Sequence, residues 1–485
     1  MKLGHLVRNL TFEPHSSKEI ADLEIIGIAD NSLDVKEGFL FLAIKGYKVD
    51  GHHYIEEAIK QGAVIIVGEE DIVDLSVPYI KVKNSRKALG IIAKNFNGNP
   101  TKQKTMIGIT GTNGKTTTSY LLRHILEDNG ISCALIGTIH NIINGDVIKS
   151  KNTTPSSLTL YEMLAKSNDT VVIIEASSHG LSQNRLEGVA FDYCLFTNLT
   201  QDHLDYHGTM ENYFTTKQLL FTKLKKQGLA IINKDDFWGE KLNRILQKQG
   251  INTFSVGQEH HCDLRMIEAS TFEQPWVKVS EATETFIINS SMAGMHNLYN
   301  TVMAYVLVKQ LLNNQERVLQ SIQCFSGVPG RFELFEPKHG STVIVDYAHT
   351  ADGILNCLKT AKASRAKKIT HVFGFRGDRD ILKRREMMEI SMELSDEFIL
   401  TIDDLNSVPL QNMMEALDAM NEDFGNGKGS ITPDRTLAIK QAIDQSEPGD
   451  WIVITGKGHE DYQQEFALPT LSDMETVKYI NMEHS

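Results

Sequence analysis

The run Met106-Ile-Gly-Ile-Thr-Gly-Thr-Asn-Gly-Lys-Thr-Thr-Thr118 has the residue types and spacing to hold phosphate. Gly111 and Gly114 let the backbone turn so that its amides, with those of a following helix, cradle phosphate oxygens. Lys115 would neutralise the β- and γ-phosphates, and the Thr116 hydroxyl would ligate Mg²⁺. Thr112, Asn113 and Thr117 complete the set of candidate nucleotide contacts. The strict pattern places a glycine five positions before Gly114, where this chain has Ile109, so the loop is a variant. A glycine turn that binds nothing is the bland alternative. The context of an apolar strand before the turn and an amphipathic helix after it favours phosphate.

Further polar clusters follow apolar runs. Glu175 ends one such run and suits Mg²⁺, which takes few ligands and prefers oxygen, although a helix-capping carboxylate is the alternative. His203 lies in Asp202-His-Leu-Asp-Tyr-His207, which reads equally as a metal cluster, an acid/base unit or a polar loop. Lys217 sits in an amphipathic helix, where solvent or a salt bridge is the default. Arg331, after the rigid Val328-Pro-Gly turn, can stabilise developing phosphoryl charge or form a structural interdomain ion pair. Asp346 can accept ribose hydroxyls or support Mg²⁺. Asp403 and Asp404 end another run, and Gly456 and Glu460 can hold an ammonium or a carboxylate group of a substrate.

The elements that must position these residues are short strands alternating with helices. In residues 1–98, apolar runs at Leu23–Ala29, Gly38–Ile44, Ala63–Val67 and Tyr79–Val82, with helices near Tyr54–Gln61 and Ser85–Phe96, predict a small α/β domain. The polar, turn-rich stretch Asn97–Lys104 marks a boundary. Residues 99–328 then alternate strands at Met106–Thr110, Thr170–Ile174, Tyr193–Phe196 and Leu229–Ile232 with helical patterns, which predicts a doubly wound parallel sheet. Residues 329–485 repeat the pattern, with strands at Thr342–Val345, Thr370–Phe373, Glu397–Thr401 and Trp451–Ile454, as a Rossmann-like α/β domain. Ligands of such sheets lie beyond the carboxyl ends of the strands, where the polar clusters fall, so the simplest architecture sets the two edges across a cleft.

Composition bounds the function. The 485 residues suit about three domains. A net charge of −13 argues against a general nucleic-acid or anionic-membrane binder. The 5 cysteines are widely spaced with no CxxC pair, which is neither a disulfide framework nor a zinc pattern. There is no apolar stretch of signal-peptide or membrane-span character, so the expected location is the cytoplasm.

The ordered motifs resemble the Mur ligases almost end to end. The matching stretches are Asp50-Gly-His52, Gly108 to Thr118, Leu135 to Thr138, Asn152 to Pro155, Glu175 to Arg185, Thr197 to Gly208 and Lys217. They continue through His296 to Asn300, Gly330 to Glu333, Asp346 to Thr350, Gly377 to Asp380 and Gly456 to Gln463. The resemblance is greatest to members that add an amino acid to a UDP-N-acetylmuramoyl dipeptide. It implies that Thr153, Thr154, Ser177, Gln183 and Arg185 hold a UDP-sugar peptide, with Ser32 near the uridine. It implies that Glu175 and His203 are Mg²⁺ ligands, that Lys217 is carbamylated and helps place a second Mg²⁺, and that Asn297, Arg331, Asp346 and His349 hold ATP. Asp403, Gly456 and Glu460 would then face the incoming amino acid. The implied architecture is a UDP-binding domain, a central ATPase domain and a closing C-terminal domain in a monomer.

Three departures stand out. Asn31-Ser32-Leu33 replaces the family's Asp-Ser-Arg. Gly374-Phe-Arg376-Gly replaces a Gly-x-Gly-Gly turn, with Lys383-Arg-Arg385 for the usual Lys-Arg-Pro after it. Asp403-Asp-Leu-Asn-Ser-Val-Pro409 replaces Asp-Asn-Pro-Arg, whose arginine binds the far carboxylate of diaminopimelate. Diaminopimelate is therefore not the expected incoming amino acid; lysine or another amino acid is. A paralogue that couples an amino acid to a different carboxylate is the second reading, and a nucleotide-binding protein without ligase activity is the third.

Overall fold

The computed structural model describes residues 1–11, 20–46, 49–337, 340–378 and 381–483, so Arg379 and Asp380 of the Gly377 to Asp380 match lie outside the described residues. The chain divides into two compact units. One comprises Met1–Gly108, Ile131–Cys194 and Leu219–Gly228, and the other Ile109–Gly130, Leu195–Gln218 and Leu229–Ser485.

The first unit begins with four parallel strands in sequence order, Gly27–Ala29, Phe39–Leu42, Ala63–Gly68 and Tyr79–Lys81. Their side chains are buried on both faces, against Leu3, Leu6, Leu89 and Ile92 on one side and Ile55 and Ala58 on the other. This is why they read as continuous apolar runs rather than alternating ones. The helix Ser85–Phe96 starts where the Asn84 side chain accepts a hydrogen bond from Lys87 N.

An eleven-stranded sheet carries, side by side, Phe191–Phe196, Thr105–Thr110, Val171–Glu175 and Cys133–Ile136. Every residue of Val171–Glu175 is buried. The alternating pattern predicts only the parallel part. Antiparallel strands extend both edges: the hairpin His140–Ile143/Asp146–Lys149 on one, and Trp276–Glu281 and Glu284–Asn289, beyond the parallel strand Leu264–Ser270, on the other. The first hairpin turns on Asn144-Gly145, both at positive φ (54° and 87°), the conformation a two-residue hairpin loop requires.

The C-terminal sheet has six strands in the order Glu333–Phe335, Thr342–Asp346, Trp451–Thr455, Ile369–Arg376, Glu397–Asp404 and Gly429–Ile431. All neighbours are parallel except the first pair. The last strand in sequence, Trp451–Thr455, is inserted between Thr342–Asp346 and Ile369–Arg376. Strand order thus reverses there, and the carboxyl ends of three strands, at Asp346, Thr455 and Arg376, become neighbours. Reversals of this kind open the crevice in which α/β sheets bind ligands.

Candidate active site

The strand Thr105–Thr110 runs into the loop Gly111–Gly114 and the helix Lys115–Asp128. Gly111 (φ 149°) lies against the Thr197 hydroxyl and Gly114 (φ 85°) against the Asn300 amide, and neither leaves room for a Cβ. The loop is held from the neighbouring strand end. Asn198 accepts from Thr112 N (2.9 Å) through its carbonyl and from Asn113 N (2.9 Å) through Oδ1, while Thr197 Oγ1 donates to Asn113 O (2.6 Å). Two loop amides therefore maintain the loop's shape rather than point inward, and phosphate is left to the helix start and the side chains. Thr116 and Thr117 are buried there.

Two lysines converge on one carbonyl. Lys115 Nζ donates to Gly111 O and Thr112 O (2.9 Å each), and Lys217 Nζ donates to the same Gly111 O at 2.8 Å. Lys217 is 1% exposed and lies 4.6 Å from the centre of the Tyr213 ring. Burial, then the charge of Lys115, holds its pKa well below the ordinary lysine value, against the opposing pull of Asp202. The lysine on the amphipathic helix is thus neither solvated nor part of a surface salt bridge.

His203 (φ 55°) starts a short helix in a left-handed conformation and stands edge-on to Tyr213. Its neighbour Asp202 is the electrostatic hub. Asp202 Oδ1 accepts from His203 N (2.9 Å) and lies 3.4 Å from Lys383 Nζ, and Oδ2 faces His203 Nε2 (3.3 Å) and His349 Nε2 (3.5 Å). Burial raises its pKa, but His203, His349 and Lys383 together outweigh this and hold it well below the usual carboxylate range. His349 also faces Tyr347 O through Nδ1 (3.0 Å), and burial lowers its pKa. Loops after the strands Phe191–Phe196 and Thr342–Asp346 and the helix Leu382–Leu394 thus meet at one buried acid.

Arg331 is held by an aromatic face. Its guanidinium lies 4.3 Å over Tyr347, Nη2 is 3.5 Å from Thr116 Oγ1, and Nε is buried without a hydrogen-bond partner. Such a cation beside the phosphate loop is placed to meet negative charge. Asp346 accepts from Phe332 N (2.5 Å) and Ala348 N (2.6 Å), fixing the turn that carries Arg331. Asn297 donates to Ala293 O (2.8 Å) and accepts from Asn300 (3.2 Å), so Asn300 is the amide that packs on Gly114.

At the reversal point, Asp403 Oδ1 accepts from Arg435 Nη1 (2.7 Å), and Arg435 is bidentate to Asp473 (2.6 and 2.7 Å). Lys457 donates to Asp404 (2.7 Å), Tyr347 to Glu460 Oε1 (2.9 Å), and Arg376 Nη2 to both Gly456 O (2.7 Å) and Glu460 Oε2 (2.6 Å).

The first unit gathers the other candidates. Thr138 donates to Glu175 Oε2 (2.7 Å) and lies 3.2 Å from Thr153 Oγ1, and Thr154 donates to Glu175 O (2.7 Å) and lies 3.1 Å from Ser177 Oγ. Arg185 donates to Thr154 O (2.6 Å) and Gln183 Oε1 (2.8 Å). Glu175 is wholly buried, with Gly137 packed against its carboxylate where no Cβ fits. A carboxylate and a cluster of hydroxyls are the oxygen donors that Mg²⁺ and a polar substrate take. Ser32 stands apart at the start of the one-turn helix Ser32–Asp34 that follows the strand Gly27–Ala29, donating to Glu57 Oε2 (3.1 Å), with Leu33 exposed beside it.

Asp202, Asn198, Asn300, Tyr347, Arg376, Arg435 and Lys457 were not singled out from the sequence as site residues. The signals were the positions of Asp202, Asn198, Tyr347 and Lys457 just past apolar strands, and the departure of Arg376 from the glycine turn.

The fold and the phosphate loop define a P-loop α/β enzyme with a second α/β domain. Patterns describing the Mur ligase family catalytic domain, the Mur ligase middle domain and the Mur ligase glutamate ligase domain match residues 24–97, 109–308 and 330–458. UDP-N-acetylmuramoyl-L-alanyl-D-glutamate--2,6-diaminopimelate ligases from Listeria monocytogenes and Aquifex aeolicus are 37% and 39% identical to the chain. Each alignment covers 96% of this chain, and 95% and 97% of the relative respectively. A solved structure of a ligase of that name superposes with a TM-score of 0.70 at 26% identity, covering 100% of both chains. The chain belongs to the Mur ligase family, and it is an ATP-dependent ligase that forms an amide bond.

Proposed function

We propose that this ligase joins an amino acid other than diaminopimelate to the peptide carboxylate of UDP-N-acetylmuramoyl-L-Ala-D-Glu, in the cytoplasm and as a monomer. The carrying observation is the convergence of Lys115 and Lys217 on the Gly111 carbonyl, with Arg331 against Thr116. Two cationic side chains, Lys115 and Arg331, at one helix start suit a transferring phosphoryl group, and the buried Lys217 beside them is the group that can become a carbamate. An acceptor carboxylate oxygen attacks the γ-phosphorus of ATP and ADP departs. The amine of the incoming amino acid then attacks the acyl phosphate, forming the amide and releasing phosphate and a proton. Lys115 and Arg331 offset charge on the phosphoryl oxygens, and closure of the C-terminal domain keeps water from the acyl phosphate.

Mg²⁺ would be held by Thr116 and His203 of the second unit, with Lys217 as its carbamate, and would neutralise phosphate charge; Glu175 is the candidate ligand of the first unit. The depressed pKa of Lys217 supports the carbamate, because the neutral amine is the form that adds CO₂, losing a proton and becoming an anion. Thr153, Thr154, Ser177, Gln183 and Arg185 would take the UDP-sugar peptide.

The absence of arginine from Asp403–Pro409 supports an amino acid other than that of the named relatives. The second reading, a different acceptor carboxylate, draws on the exposed Leu33 beside Ser32. Mass spectrometry of the product with each acceptor tests both: a product equal to the dipeptide nucleotide plus an amino acid less water supports the first. A product with another carboxylate alone supports the second.

A further inference from the structure

The carboxyl ends of Trp451–Thr455 and Ile369–Arg376 present two acceptors side by side, the Gly456 carbonyl and the Glu460 carboxylate. A carbonyl paired with a carboxylate is what an ammonium group binds. Here the protein fills that position itself. A single nitrogen, Arg376 Nη2, lies 2.7 Å from Gly456 O and 2.6 Å from Glu460 Oε2, and the other Glu460 oxygen accepts from Tyr347 OH at 2.9 Å. Both oxygens of Glu460 are therefore engaged.

The guanidinium is fixed in place. Arg376 is the last residue of its strand, between Gly374 and Gly377, whose α-carbons lie against Asp403 and Leu405 with no room for a side chain. Gly377 N donates to Asp404 O (2.8 Å), Arg384 donates to Arg376 O (3.0 Å), and the guanidinium lies 5.5 Å from the centre of the Tyr347 ring. Its Nε is buried and makes no hydrogen bond but lies 3.7 Å from Asp404 Oδ2, and its side chain is only 14% exposed. Lys457, 3.9 Å from Glu460, is committed to Asp404 at 2.7 Å.

We infer that Arg376 is a specificity-determining residue: its guanidinium occupies the place of a second ammonium group, so the enzyme takes an amino acid whose only ammonium is the reacting one. This rests on the reading above that the incoming amino acid binds at this edge, and it extends it by excluding lysine as well as diaminopimelate. The relatives named for 2,6-diaminopimelate handle a substrate with two amino groups; in this chain one of the two cationic positions is built into the protein.

Matched substrates test this with the full chain, Mg-ATP and the dipeptide nucleotide. Lysine and norleucine differ by one ammonium, as do diaminopimelate and 2-aminopimelate. For each, kcat/KM is read from phosphate release and relative binding from ligand-detected NMR on the same samples, for the wild type and for Arg376→Gly, Arg376→Met and Arg376→Lys. The wild type is expected to favour norleucine and 2-aminopimelate. Gly and Met at 376 should shift the ratio toward the diamino partner by roughly 10- to 100-fold, the worth of one charge-assisted hydrogen bond, and Lys should not. A wild type that binds or uses the diamino compounds as well as their partners overturns the inference. So does an unchanged ratio in Met or Gly variants that melt with the wild type. If phosphate release is silent throughout, the acceptor reading fails, and the NMR ratios still decide the role of Arg376 by the same two outcomes.

Discussion

Lys217 shows how a residue's surroundings decide its chemistry. On its helix it reads as an ordinary cation, yet the fold buries it beside Lys115, where an ammonium is disfavoured. Lys217→Ala is expected to be nearly inactive and partly restored by added short carboxylates. Full activity would remove Lys217 from the site, and measured phosphate release decides. Lys115→Ala should lower turnover by roughly 10²-fold or more, since one positioned donor at a developing charge is worth that much. Turnover near wild type would separate the loop from the reaction. The loop-and-helix placement of Lys115 and Thr116 and the strand-end placement of Glu175 were legible because glycines, a lysine and an apolar run announce them. Asp202 was not, because its role arises from His203, His349 and Lys383, which are brought to it by separate elements.

At the scale of elements, the strand Ile369–Arg376 carries a buried base. His371 bridges Ser391 Oγ and Thr455 Oγ1, 2.9 Å each, and stacks on Phe373, with centroids 4.3 Å apart. Burial, then the charge of Arg435, pushes its pKa from 6.5 down to about 3. The unfolded chain takes up this proton below about pH 6.5 and the folded chain only near pH 3, so the unfolded state binds more protons between these values. His371 thus costs nothing above pH 6.5 and destabilises progressively as pH falls toward 3. Denaturant melts at pH 7.5 and 4.5 should show a smaller acid loss for His371→Gln than for the wild type; equal losses would contradict the account.

The helix Arg435–Asp444 supplies a second test, because Arg435 is fully buried between Asp403 and Asp473. Arg435→Met leaves two buried carboxylates without their cation and should cost about 3–5 kcal/mol in denaturant melts. A loss under ~1 kcal/mol would mean that the carboxylates are solvated or protonated. The core strands of these elements were legible within a few residues from their apolar runs. The edge hairpins were not read, although Asn144-Gly145 is a turn signal, because the βαβ alternation dominated the reading.

At the scale of the whole molecule, the α/β class and the Rossmann-like C-terminal sheet follow from alternation, but the strand order does not. Nothing local in Trp451–Thr455 says that it lies between Thr342–Asp346 and Ile369–Arg376, and that insertion sets Arg376 on Gly456 and Glu460. The arginine in the glycine turn was visible as a departure and Gly456 and Glu460 as candidates, whereas their pairing was not. The proposed activity couples ATP cleavage to an acceptor and an amino acid. The direct measurement is phosphate release from ATP with UDP-N-acetylmuramoyl-L-Ala-D-Glu and each amino acid in turn, against reactions lacking either. Release is expected to require both, with an amino acid other than diaminopimelate. Release with diaminopimelate alone, or none with any amino acid from protein that binds ATP, would contradict it.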